Sequence, residues 1–199
     1  METNLPKHIP VHPLDSARAF TGAAEWGTTS IGEYWRWAHS NIVGNTERGV
    51  LAQFIVAKAL GDTRKAVDVW APPDVLASDA TRVEVKSAAY LQTWGQHNYS
   101  RVSFGVRETL DWNPETGEYG TQKGRYSDAY VFALLTERDK DKVDPLDLRQ
   151  WEFYVVPTFV LNRELGNAKS ISLVRLQKLI GPVGADGIKD ALLNRLWPS

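Results

Sequence analysis

The stretch Asp128–Thr136, Asp-Ala-Tyr-Val-Phe-Ala-Leu-Leu-Thr, is a near-continuous apolar run. A strand wet on one face alternates apolar and polar residues, whereas a strand covered on both faces does not. The run therefore predicts a buried central strand with structure layered on both sides. Trp151–Pro157 predicts another strand. The covering layers are legible as helical patterns. Ile31–Ile42 carries Trp35, Ala38 and Ile42 on one stripe, and Thr46–Leu60 carries Leu51, Ile55 and Ala59 on one row. Asn45 is placed to cap the second of these and Gly61 to stop it. A short helix is expected over Thr158–Leu165, a short strand or helix start over Ile171–Val174, and helical cover over Arg175–Ile180 and Gly187–Leu196. The expected fold class is α/β, a central mixed β-sheet flanked by helices.

Within that frame, Thr81–Ala88 reads as an amphipathic strand. Val83 and Val85 face one way, and Glu84 and Lys86 face the other, ~6.6–7 Å apart. Glu and Lys on a strand face are also an ordinary means of keeping a sheet soluble, so the neighbouring elements decide the reading. Lys65–Trp70 is expected to be a preceding strand with one inward acid, Asp68. Ala71-Pro72-Pro73-Asp74 should end it, because proline cannot continue a ladder. An antiparallel hairpin would then set Asp68 near Glu84 and Lys86. Asp74 and Asp79 are read as turn residues. Glu47, in the first turn of the Thr46–Leu60 helix, falls on its core-facing stripe, although an acid there also suits the helix dipole.

Composition narrows the chemistry. The 199 residues contain no cysteine, which excludes disulfides, thiolate metal sites and a cysteine nucleophile. Net charge is −1, so contact with nucleic acid would need a local patch. No apolar run approaches the ~20 residues of a membrane span. Met1–Pro13 has no apolar signal core, and a cytoplasmic location without a membrane partner is expected. Residues 1–30 read as an extended arm with a short helix near Ser16–Ala24. Pro10 and Pro13 argue against a helical metal pair at His8 and His12. Residues 31–199 read as one domain, with its core at about 45–136 and an elaboration at 137–199. The eight tryptophans should mostly pack in or beside the core. Tyr90–Tyr99 is aromatic and amide-rich and leads into a third strand, Arg101–Val106. Tyr99, Gln92 and Arg101 suit a polyanion, as an ordinary loop with a half-buried Trp94 would equally. Leu110–Ser127 reads as a long polar loop whose Lys123 and Arg125 could touch phosphates.

Two carboxylates on adjacent strands can hold Mg²⁺, a hard ion that prefers oxygen ligands, with Mn²⁺ as a substitute. Asp68 and Glu84 would be ligands, with the Val85 carbonyl between Glu84 and Lys86 as a further one. Lys86 would be the electrostatic partner and Glu47 would complete the site. Asp68 followed by Glu84-Val85-Lys86, after a Glu-bearing helix, resembles the PD-(D/E)XK nuclease superfamily, the restriction-endonuclease-like fold. The resemblance covers roughly Asn45–Thr136. It implies a restriction-endonuclease-like core and a divalent-metal-dependent endonuclease hydrolysing DNA phosphodiester bonds in restriction, repair or defence. RNA stays open as a substrate, and a homodimer would suit double-strand cutting. The family's acid, Glu-x-Lys and helix glutamate map onto Asp68, Glu84, Lys86 and Glu47, and Ser87 after the lysine would bond within the site. Two features depart from the pattern: Val67 stands where the family name has proline, and no helix is evident between the third and fourth strands. The alternative is a catalytically inactive nuclease-fold module for nucleic-acid binding or assembly.

Overall fold

The computed structural model of the chain describes residues 9, 11–62, 64, 66–67, 72–113 and 116–196. An arm leads into helix α1 (Ile31–His39), whose first amides, Ile31 and Gly32, donate to the Arg18 and Ser16 carbonyls. Ser30 and Glu33 cap the helix reciprocally. Where a short helix over Ser16–Ala24 is expected, residues 16–23 form none, and a single 3-10 turn follows at Ala24–Trp26. No residue from 11 to 42 is buried. Trp26 and Trp37 are therefore exposed, and among the described tryptophans Trp151 alone is buried. Trp35 and Trp112 are half-buried and Trp26, Trp37 and Trp94 exposed, so the expectation of tryptophans in or beside the core holds for half of the six described.

Helix α2 (Asn45–Leu60) begins one residue earlier than its sequence suggests. Gly44 occupies the cap position, and the Asn45 side chain accepts a hydrogen bond from Arg48 Nη2 at 2.7 Å. Gly61, at φ 68°, ends the helix in the left-handed conformation that glycine adopts without penalty. Then come β1 (Val75–Leu76), β2 (Arg82–Ala89), β3 (Ser103–Gly105), β4 (Thr109–Asn113) and β5 (Glu118–Gly124). They are followed by β6 (Ala129–Leu135), β7 (Trp151–Pro157), α3 (Thr158–Leu165), β8 (Ser170–Ser172), α4 (Leu173–Leu179) and α5 (Ile188–Leu196).

The main sheet has the order β1-β2-β6-β7, with β2 and β6 parallel and the outer pairs antiparallel. Every residue of β6 is buried, as its unbroken apolar run requires. On one face Val83, Val85, Val131, Ala133, Phe153 and Val155 pack with Ala52, Ile55 and Val56 of α2 and with Ile188 and Leu192 of α5. On the other face Phe132, Leu134, Tyr154 and Val156 pack with Phe104 of β3, Leu161 of α3, Ile171 of β8 and Leu176 of α4. Truncating a fully buried ring such as Phe132 to alanine would cost roughly 3–5 kcal/mol. The protein is thus α/β with a mixed sheet flanked by helices.

Three expected elements differ. Of the Lys65–Trp70 strand, Lys65, Asp68, Val69 and Trp70 lie outside the described residues, and Ala66 and Val67 are not in a strand. The strand that pairs with β2 comes after the prolines, joined to it by a tight turn in which the Ala77 amide donates to the Thr81 carbonyl at 2.9 Å. Strand β3 does not join the main sheet; it pairs with β8 in a small sheet over the second face. Leu110–Ser127 contains the antiparallel β4–β5 hairpin rather than an open loop. Nearly every residue of both strands is exposed, so no apolar alternation marked them. The connection from β2 to the parallel β6 holds no helix among the described residues.

Candidate functional site

Glu84 and Lys86 project from β2 on the face opposite α2, and the Lys86 ammonium contacts Glu84 Oε1 directly. The acid that meets them is Asp74. The β1–β2 register pairs Val75 with Val83 and Leu76 with Arg82. Carried on by one residue, it sets Asp74 across from Glu84. Asp74 Oδ2 accepts the Val85 amide at 2.8 Å. The turn reading of Asp74 is therefore corrected: a residue just after two prolines is free of the ladder on its own side but still reaches the neighbouring strand. Asp79 does behave as a turn residue, its Oδ1 accepting the Thr81 amide at 3.0 Å.

Asp74 is held from behind. Arg64 donates to the Pro73 carbonyl at 3.1 Å and to the Asp74 carbonyl at 2.8 Å. Arg64 is itself fixed by Asp62, with Nη2 to Oδ2 at 2.7 Å, and Asp62 also accepts the Leu76 amide at 3.0 Å. Burial pushes the Asp62 carboxyl up, but its hydrogen bonds to Arg64 and Leu76 outweigh that and leave it below the usual range. Asp74 behaves in the opposite way. Burial first, and then the Glu84 charge, push its carboxyl up to about 6, against the pull of the Val85 amide and Lys86. Burial, with Glu84 again contributing, also pushes the Tyr130 hydroxyl up to about 12. Tyr130 is the register partner of Glu84 on β6.

Glu84 and Lys86 open into a cleft of about 450 Å³ whose other walls include Arg107, Trp112, Tyr126 and Tyr130. The β4–β5 hairpin forms one side of it. Arg107 is exposed and makes no ion pair among the described residues, so its charge is available to the cleft.

The other candidate residues divide sharply. Asp68 lies outside the described residues. Glu47 does not converge on Glu84: it pairs with His39 at 3.0 Å, and its helix packs on the far face of the sheet. Val85 turns its side chain into that same core. Ser87 Oγ accepts a bond from the buried Arg48 at 3.2 Å, so it ties α2 to β2 instead of bonding within the cleft. Burial lowers the pKa of Arg48, and its bonds to Val43, Asn45 and Ser87 hold its charge in place. Arg125 is not a phosphate contact. Its side chain is fully buried and donates to the Val106, Gly166 and Ala168 carbonyls and to Asn162. Gln92 is buried, with its amide nitrogen on Ser100 Oγ at 3.1 Å, and serves the loop that follows β2. Tyr99, Arg101 and Lys123 are exposed, as a ligand contact requires. Asp74, Arg64 and Arg107 were missed by sequence reasoning. For Asp74 a signal existed, the dipeptide Pro73-Asp74 shortly before Glu84-Val85-Lys86. For Arg64 and Arg107 there was none.

Among the described residues, no three His, Cys, Asp or Glu side chains gather to hold a metal ion. Asp74 and Glu84 nevertheless suit one in kind. They are oxygen donors facing each other just before β1 and on β2, and after burial it is the Glu84 charge that raises Asp74, a repulsion that a divalent cation would offset. No helix among the described residues is long and apolar enough to cross a membrane. No protein-family model, curated protein or solved structure matches the chain.

Proposed function

We propose that the protein is a divalent-metal-dependent endonuclease that hydrolyses DNA phosphodiester bonds, on a restriction-endonuclease-like core. The observation that carries this reading is Asp74 set across from Glu84, with Lys86 paired to Glu84 and both Glu84 and Lys86 lining a cleft. Pro73-Asp74 and Glu84-Val85-Lys86 supply the proline-aspartate and Glu-x-Lys elements of the PD-(D/E)XK superfamily more literally than Val67-Asp68 does. A parallel strand, β6, beside the Glu-x-Lys strand and a helix packed behind it also support the fold assignment.

Phosphodiester hydrolysis gathers negative charge on the phosphoryl group, and groups already aimed at that charge lower the barrier. Lys86 and Arg107 share the cleft and supply positive charge from two sides. Asp74 and Glu84 would hold Mg²⁺ or Mn²⁺. Such an ion, when bound, polarises a phosphoryl oxygen and activates water. Glu84 also orients the Lys86 ammonium through their direct contact. Asp74 keeps its position through Arg64 and the Val85 amide.

The test is cleavage of plasmid, linear, single-stranded and branched DNA, with an RNA panel alongside, in Mg²⁺, Mn²⁺ or EDTA. Wild type should cut only with metal, and Glu84→Gln and Lys86→Ala should not cut. Equal cutting by Lys86→Ala and wild type would end the reading. Binding without cutting on any substrate would replace it with the inactive module.

A further inference from the structure

We infer that a second pocket, built where β2 ends, receives an unpaired nucleobase of a single-stranded nucleic acid. This deepens the proposed function and rests on the cleft acting on nucleic acid. The pocket has a volume of about 410 Å³, and its walls include His97, Tyr99, Arg138 and Lys140.

Its cations are positioned but not neutralised. The Arg138 guanidinium lies over the Tyr90 ring at 4.2 Å and near the Tyr99 ring at 5.6 Å. Lys140 Nζ donates to the Trp94 carbonyl at 2.6 Å. Among the described residues neither cation is paired with a carboxylate, so both keep charge for an anion. Aromatic surface accompanies that charge. Tyr99 and Trp94 are each more than half exposed, at 55% and 57%. Every base has a π-face, and stacking on an aromatic ring beside a positive groove is the usual way to hold a single strand.

The loop is also formed in advance. The Gln96 side chain accepts the Gln92 amide at 2.6 Å and donates to the Tyr90 carbonyl at 3.2 Å and to Ser100 Oγ at 3.2 Å. The Ser100 amide returns to the Tyr90 carbonyl at 2.9 Å. A wall ordered before binding has less conformational entropy to lose when a ligand arrives. Position links the pocket to the cleft. Tyr90 continues the row of Glu84, Lys86 and Ala88 on one face of β2, ~13 Å beyond Lys86 along the strand.

The experiment is fluorescence anisotropy of labelled ten-residue oligo-dT, oligo-rU and a blunt duplex, using the full chain in EDTA so that no cleavage intervenes. Tyr99→Ala should weaken oligo-dT binding by about 5- to 150-fold. Tyr99→Phe should restore it, and Lys58→Ala, which removes an exposed cation from α2 on the opposite face of the sheet, should leave it unchanged. Arg138→Ala should weaken it too, with thermal unfolding as the check that the loop holds. Equal binding of oligo-rU supports a pocket that reads the base; preference for one oligomer supports it and shows that the sugar or the thymine methyl group is also read. Wild-type affinity in Tyr99→Ala overturns the inference. So does competition by inorganic tripolyphosphate as strong as by unlabelled oligo-dT, which would reduce the pocket to an anion patch. Absence of DNA cleavage with metal, alongside Tyr99-dependent binding, would remove the endonuclease reading and leave the pocket standing.

Discussion

Two groups of charged side chains in this fold are built on opposite terms. Around Arg125 every demand is met: the guanidinium is fully buried, with Nε on the Val106 carbonyl at 2.8 Å, Nη1 on Asn162 at 2.7 Å and Nη2 on Gly166 at 2.8 Å. Around Asp74 the demands conflict: a half-buried carboxyl is pushed up to about 6 while facing Glu84. A satisfied buried charge holds structure together, whereas an unsatisfied one is a place where a ligand can gain binding energy. The sharpest break of this contrast is Arg125→Met. It leaves buried carbonyls without donors and should cost on the order of 3–5 kcal/mol. For a chain of this size that is a fall in melting temperature of roughly 6–20 °C. A melt within 2 °C of wild type would show that the Arg125 cluster does not hold the fold.

The complementary variants are Glu84→Gln and Lys86→Ala. Lys86 is partly exposed and contacts a single acid, so its loss should move the melting temperature by about 2 °C at most. Cleavage should fall by about 10²–10³-fold, the usual effect of removing a preorganised charge at a reacting centre. Arg64→Lys should lie between these extremes. It keeps the positive charge but loses the fork that reaches both Asp62 and the Pro73-Asp74 carbonyls, so metal affinity and cleavage should drop by about 10–100-fold. Calorimetric titration of Mn²⁺ reads that effect directly. Unchanged Mn²⁺ affinity would mean that Asp74 needs no support from Arg64.

What the sequence made legible follows from which interactions are local. β6, β7 and α3 follow their predicted spans closely, because continuous burial writes itself into every residue of an element. The Glu84–Lys86 face was legible because strand alternation is local too. Asp74 was not, because the same prolines that signal the end of a ladder also precede the aspartate that crosses to the next strand. Arg125 was misassigned for a related reason: a basic residue beside glycine in a polar stretch reads as solvated, and the four acceptors that bury it come from two distant parts of the chain. Glu47 had the correct periodicity, but a helix pattern does not reveal which face of a sheet the helix will cover.

The finest test of the contrast is the pH dependence of Asp74. Its carboxyl titrates at about 6 in the folded chain and near the ordinary 3.8 when unfolded. Between those values the folded state retains a proton that the unfolded state has released, so stability falls as pH rises through the window and levels off above it. At pH 8 wild type carries the whole cost, on the order of 1–3 kcal/mol for a half-buried carboxyl. Asp74→Asn keeps an acceptor for the Val85 amide and removes the charge. In urea titrations it should be more stable than wild type at pH 8, and the gap should close towards pH 4. Mg²⁺ should shrink the gap from the other side by stabilising wild type alone, more at pH 7.5 than at pH 5.5, because proton and metal compete for one carboxylate. Equal stability of the two proteins across the whole range would mean that Asp74 is as well satisfied as Arg125, and the contrast between the two clusters would be lost.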